Sequence, residues 1–176
     1  MQQATTLSPA DRTALEVSLA RMTGDAFGAL ATLPLYCLGE LPSPDPRVII
    51  LEHYEVWRSC LIVVREVLKA DGGAPEIVQA SLAALIDMTA ELRDCYTQVN
   101  ASYLTTPTSA RTAYGRLVAA YERLPLLIRD LGVALELDTS FLPAPRSLKR
   151  TSYDRSLRAF GEAIVGLGQS TPAHEG

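Results

Sequence analysis

From Asp45 to Tyr103 apolar residues recur at helical spacing on both sides of one short break, Asp71-Gly72-Gly73. Two helices of similar length joined so briefly have to pack antiparallel, so this stretch predicts a long helical hairpin. Asp45 is placed to cap the first helix and Pro46 takes its first position, where a missing N–H costs nothing. The pattern then runs to Ala70, about 37 Å at 1.5 Å per residue. Pro75 opens the second helix, whose stripe passes from Val78 through Leu85 and Leu92 to Tyr103. Val48-Ile49-Ile50 and Ile62-Val63-Val64 favour strands by propensity. The caps and the length of the pattern outweigh them.

The rest of the chain is punctuated in the same way. Ser8-Pro9-Ala10-Asp11 supplies a cap, a proline at the first helical position and an acid in the first turn. Leu15, Leu19 and Met22 continue that helix. Gly24 predicts a break, followed by a short helical piece from Asp25 to Thr32 that Pro34 ends. Three prolines between Pro42 and Pro46 predict a surface connection. After a break at Thr105 to Ser109, a stripe from Tyr114 to Leu135 keeps its phase across Pro125, which predicts one kinked helix although an interior proline costs about 3 kcal/mol. Leu142 to Pro145 reads as a stiff linker, and a last helix is expected from Ser152 to Leu167.

These elements predict an all-α fold: a single-domain bundle of five or six helices around the antiparallel hairpin. The expected domain covers residues 8–168, with a disordered lead-in at 1–7 and a disordered tail at 169–176. A chain of 176 residues buries roughly 70% of its unfolded surface around one core. Its uninterrupted apolar runs, Val48 to Leu51 and Leu61 to Val64 among them, fall far short of the roughly 20 residues a membrane helix needs. The start Met1-Gln2-Gln3-Ala4-Thr5 has neither the basic nor the apolar region of a secretory signal, so a cytoplasmic protein is expected. Cys37, Cys60 and Cys95 form no CxxC pair, and buried free thiols are expected.

The acidic residues come closest to a chemical motif. Glu52-x-x-Glu55 lies on the first hairpin helix and Glu91-x-x-Asp94 on the second, at similar distances from the turn. Paired carboxylates of this kind bind magnesium. The arrangement resembles the ExxE and ExxD pairs of the all-α nucleotide pyrophosphohydrolases related to MazG. That resemblance implies magnesium as cofactor, held by Glu52, Glu55, Glu91 and Asp94, and hydrolysis of a nucleotide. Helical angles place the acids elsewhere: Tyr54, Trp57, Leu61 and Val64 point one way, and Glu52 and Glu55 nearly opposite. Glu76, Asp87, Glu91, Asp94 and Gln98 share a polar face predicted to be solvated.

His53 falls inside the apolar stripe, between Ile49 and Trp57, and is expected to be a satisfied core histidine. With Trp57 and Tyr96 it could line an internal pocket for an apolar small ligand. Arg146, Lys149, Arg150, Arg155 and Arg158 outnumber the one acid among them, Asp154, giving this segment +4 within a chain of net charge -4. The basic segment is a candidate partner-binding region, while the overall acidity argues against nucleic acid. No phosphate loop, HExxH helix or GxSxG elbow is present.

The expected function is therefore a non-enzymatic helical interaction or regulatory module that binds a protein partner without cofactor, a homodimer being one form of that binding. Val48, Leu51 and Ile62, beside the main stripe, are available for a second interface.

Overall fold

The computed structural model describes residues 7–37, 46–70, 74–100, 107–140, 142 and 149–169. Five helices make up these residues: α1 (Pro9–Cys37), α2 (Pro46–Ala70), α3 (Glu76–Asn100), α4 (Pro107–Ala134) and α5 (Arg150–Gln169). No strand occurs among the described residues. None of the helices is long and apolar enough to cross a membrane. The expected cap at Asp45, the helix end at Tyr103, most of the Leu142 to Pro145 linker and the tail beyond 169 lie outside the described residues.

Proline sets the start of three helices. Pro9, Pro46 and Pro107 each occupy the first helical position, and Pro75 immediately precedes α3, where its carbonyl accepts from the amides of Val78 and Gln79 at 3.0 Å. At α1 the Ser8 hydroxyl accepts the Asp11 amide at 3.1 Å, the cap that the sequence predicts. Leu7, which the sequence reading assigned to the lead-in, packs against the core.

The main correction concerns α1, which passes unbroken through Gly24 and Pro34. Tertiary burial explains the difference. Leu15, Leu19, Met22, Ala26, Ala29 and Leu33 follow one another at spacings of three and four and are all buried, so the apolar face never lapses at the glycine. That burial offsets about 1 kcal/mol for an interior glycine and about 3 for the proline.

α4 is likewise one helix through Pro125, whose ring cannot supply the N–H that Tyr121's carbonyl would otherwise accept. It ends on a Schellman turn: Leu137 donates to Gly132 and Glu136 to Val133, both at 3.0 Å, with Glu136 at φ 56° in the left-handed region. The Glu136 carbonyl accepts from an Arg12 guanidinium nitrogen at 3.2 Å, tying this end of α4 to the start of α1.

The helices form a closed ring. α1 packs on α2, α2 on α3, α3 on α4 and α4 on α1, while α5 docks against α1 and α4. The two helices of the expected hairpin meet through Trp57, whose Nε1 donates to Thr89 Oγ1 at 2.7 Å, and through Tyr54, stacked on Tyr96 at 5.8 Å. The most extensive packing lies elsewhere, between α1 and α2 and between α3 and α4. α4 packs extensively on α1, α3 and α5 and carries much of the core, including Tyr114, Leu117, Tyr121, Leu124, Ile128 and Leu131. α5 is fastened to it by Phe160, 4.9 Å from Tyr114, and by Tyr114's hydroxyl, which donates to Ser156 at 2.8 Å.

Candidate functional site

Two places in the bundle carry polar groups that the packing alone does not require. The first is a buried junction of α1, α2 and α4. His53 is half-buried, as its position in the stripe predicts, and its Nδ1 lies 2.8 Å from Asp25 Oδ1, with side chains 19% and 11% exposed respectively. The Tyr121 ring meets the imidazole edge-on at 6.1 Å. Asp25 Oδ2 and the Tyr121 hydroxyl are both shielded from solvent, without a hydrogen-bond partner among the described residues. Burial raises the Tyr121 pKa far above the usual phenol range, and the nearby Asp25 carboxylate adds to the rise. Burial likewise raises the Cys60 thiol, with Arg21 opposing it and Asp25 adding to it.

The second place is a groove between α3 and α4, with a volume of about 490 Å³. Ala84 and Met88 from α3, with Ala119, Ala120 and Leu127 from α4, give it an apolar lining. Alanines at these positions leave a depression where larger side chains would fill the seam between the helices. Asp87, Glu91, Arg116 and Arg123 supply its charges.

Arg116 clamps one end of the groove. Its Nε donates to Glu91 Oε1 at 2.8 Å, Nη2 reaches the same oxygen at 2.6 Å, and Nη1 donates to Gln98 at 3.1 Å. The bond to Glu91 raises the Arg116 pKa above its ordinary value, against a smaller opposing effect of burial. Cys95, fully buried nearby, has its thiol pushed up to about 11, chiefly by burial. Cys60 and Cys95 are both free and buried.

The four acids of the ExxE and ExxD pairs do not converge. Glu52 and Glu55 are exposed on α2, and Glu55 pairs with Arg58 of its own helix at 3.6 Å. Asp94 is exposed beside Arg93 at 3.9 Å. Glu76, Asp87 and Asp94 are exposed, as the polar face predicts, whereas Glu91 and Gln98 turn toward Arg116 of α4 and are half-buried. α3 packs on both α2 and α4, so part of its polar side is covered. Among the described residues no group of three or more His, Cys, Asp and Glu side chains is placed to hold a metal ion.

Of the expected pocket residues, Trp57 is fully buried and bonded to Thr89, His53 is engaged by Asp25, and Tyr96 stacks on Tyr54. In the basic segment, Lys149, Arg150, Arg155 and Arg158 are exposed, and Arg146 lies outside the described residues. Arg150 pairs with Asp154 at 3.5 Å, and Arg155 and Arg158 border a shallow cleft together with Asp154 and Glu162. The segment therefore interleaves its own acids with its bases.

Sequence reasoning missed Asp25 and Arg116. Asp25 follows Met22 by three and precedes Ala29 by four, which places it on the buried stripe, but after Gly24 it reads as the start of a new helix. Arg116 carries no local signal at all. No protein-family model, no curated protein and no solved structure matches the chain.

Proposed function

We propose that the protein is a non-enzymatic interaction module that binds a protein partner through the α3–α4 face. The observation that carries this reading is the groove: about 490 Å³, with an apolar lining, acids contributed by α3 and bases by α4. A depression of this kind between two packed helices suits the apolar side of a third helix, with wall charges fixing its register. Apolar exposure extends beyond the groove. Ile77 of α3 is 56% exposed and Leu126 of α4 46%. The buried Asp25–His53–Tyr121 junction belongs to the scaffold in this reading, where it holds α1, α2 and α4 in register.

A photo-crosslinking methionine analogue at position 88 tests the proposal in cells of origin, with a photo-crosslinking residue at Val17, exposed on α1, as control. The expected result is a crosslinked protein at position 88 that is absent at position 17, lost on Ala84→Arg and reproduced with the purified, identified partner. Equal crosslinking at both positions, or none at position 88, defeats it.

A further inference from the structure

We infer that the α3–α4 face is self-complementary and that its occupant is the same face of a second copy of this chain. The inference rests on reading that face as a protein-binding surface. Its wall charges are balanced but only half satisfied. Glu91 and Arg116 neutralise each other across the seam. Among the described residues, Asp87 on α3 and Arg123 on α4 have no ion-pair partner.

An exposed acid on one helix and an exposed base on its neighbour are complementary under a two-fold operation. In an isologous contact, residue i meets j while j meets i, so α3 of each copy crosses α4 of the other and Asp87 meets Arg123 twice. An unrelated partner would have to supply both charges at the right spacing, whereas a second copy carries them already.

The apolar residues follow the same geometry. Ile77 and Ala84 are spaced by seven and so share one side of α3, with the charged Glu91 closing that side about 21 Å from Ile77. Ile77 and Leu126 are exposed, and each lies seven residues from a lining alanine of its own helix, Ala84 and Ala119 respectively. Ala84 and Ala119 are small enough for helices to approach at the 8–10 Å usual between packed axes.

Sedimentation equilibrium of the full chain tests this with Asp87→Arg, Arg123→Asp and their equimolar mixture, circular dichroism confirming that each variant folds. Each single reversal places like charges together twice, so each variant alone is expected to dimerise at least about tenfold more weakly than the unaltered chain. In the mixture, the arginine introduced at position 87 of one copy meets the aspartate introduced at position 123 of the other. The native Arg123 of the first copy meets the native Asp87 of the second. Dimer formation is therefore restored.

An unaltered chain that stays monomeric at its highest soluble concentration overturns the inference. So do variants whose association is unchanged, or a mixture that shows no recovery. The crosslinking test separates the two failures. A monomer that still crosslinks a different protein from position 88 loses only the second copy, whereas a monomer with no crosslink there loses the interaction face as well.

Discussion

Asp25 of α1 and His53 of α2 meet at 2.8 Å inside the bundle, with Tyr121 of α4 closing the junction edge-on to the imidazole. α1 and α2 are thereby tied through polar groups in an otherwise apolar interior, and α4 meets them through an aromatic ring. A polar contact in such a place is intolerant of partial removal, because the surviving partner stays buried.

His53→Ala removes the hydrogen bond between His53 and the Asp25 carboxylate and is expected to destabilise the fold by about 3 kcal/mol. Replacing both residues by leucine is expected to cost less than His53→Ala alone, since no orphaned charge remains. Urea unfolding of the single and double variants measures this. A double variant less stable than the single one contradicts the account.

Two buried tyrosines of α4 separate a satisfied hydroxyl from an unsatisfied one. Tyr114 donates to Ser156, whereas the Tyr121 hydroxyl has no partner among the described residues. Tyr114→Phe is expected to cost about 1 kcal/mol and Tyr121→Phe to be neutral or stabilising. Comparing their thermal midpoints checks the contrast.

Alkaline pH is expected to weaken the fold. The Cys95 thiol rises from 9.0 to about 11 on folding. A raised folded pKa contributes stability that is full below the unfolded value and is lost as pH rises through the folded one, here between pH 9 and 11. The loss reaches about 2–3 kcal/mol for this thiol. Cys60 and Tyr121 shift in the same direction and add to it. Urea midpoints across that range measure the slope, and Cys95→Ala is expected to flatten it.

Gly24 sits exposed inside α1, and a Cβ added there meets nothing within 4 Å. Gly24→Ala is therefore expected to stabilise the chain by about 1 kcal/mol, through helix propensity and a less flexible unfolded state. A destabilised variant contradicts the continuous helix through this position.

The same glycine shows where sequence reasoning stops. Gly24 and Pro34 are local breakers, and only the neighbouring helices reveal that the stripe through Ala26, Ala29 and Leu33 is buried and holds α1 together. Where local and tertiary preferences agree, as at Pro46 and along the stripe through Pro125, helix starts and continuity are legible in the chain. Angular position correctly turns Glu52 and Glu55 outward and His53 inward.

Partners are harder to see. Asp25 lies 28 residues from His53, and Glu91 lies 25 from Arg116, each on another helix, so no spacing rule connects them. A single stripe also cannot reveal that α3 is covered on two sides, which is why Glu91 and Gln98 read as solvated. The groove itself arises from small residues, Ala84, Ala119 and Ala120, that carry no chemical signal in a sequence.

Methionine methyl resonances give the most direct test of the α3–α4 face, because Met88 lines the groove while Met22 is fully buried in the core. The ¹³C-methyl spectrum is recorded as protein concentration rises, and again with extract from cells of origin added. The account predicts that the Met88 signal shifts or broadens under at least one of these conditions while Met22 stays fixed. A Met88 signal unchanged under both contradicts it.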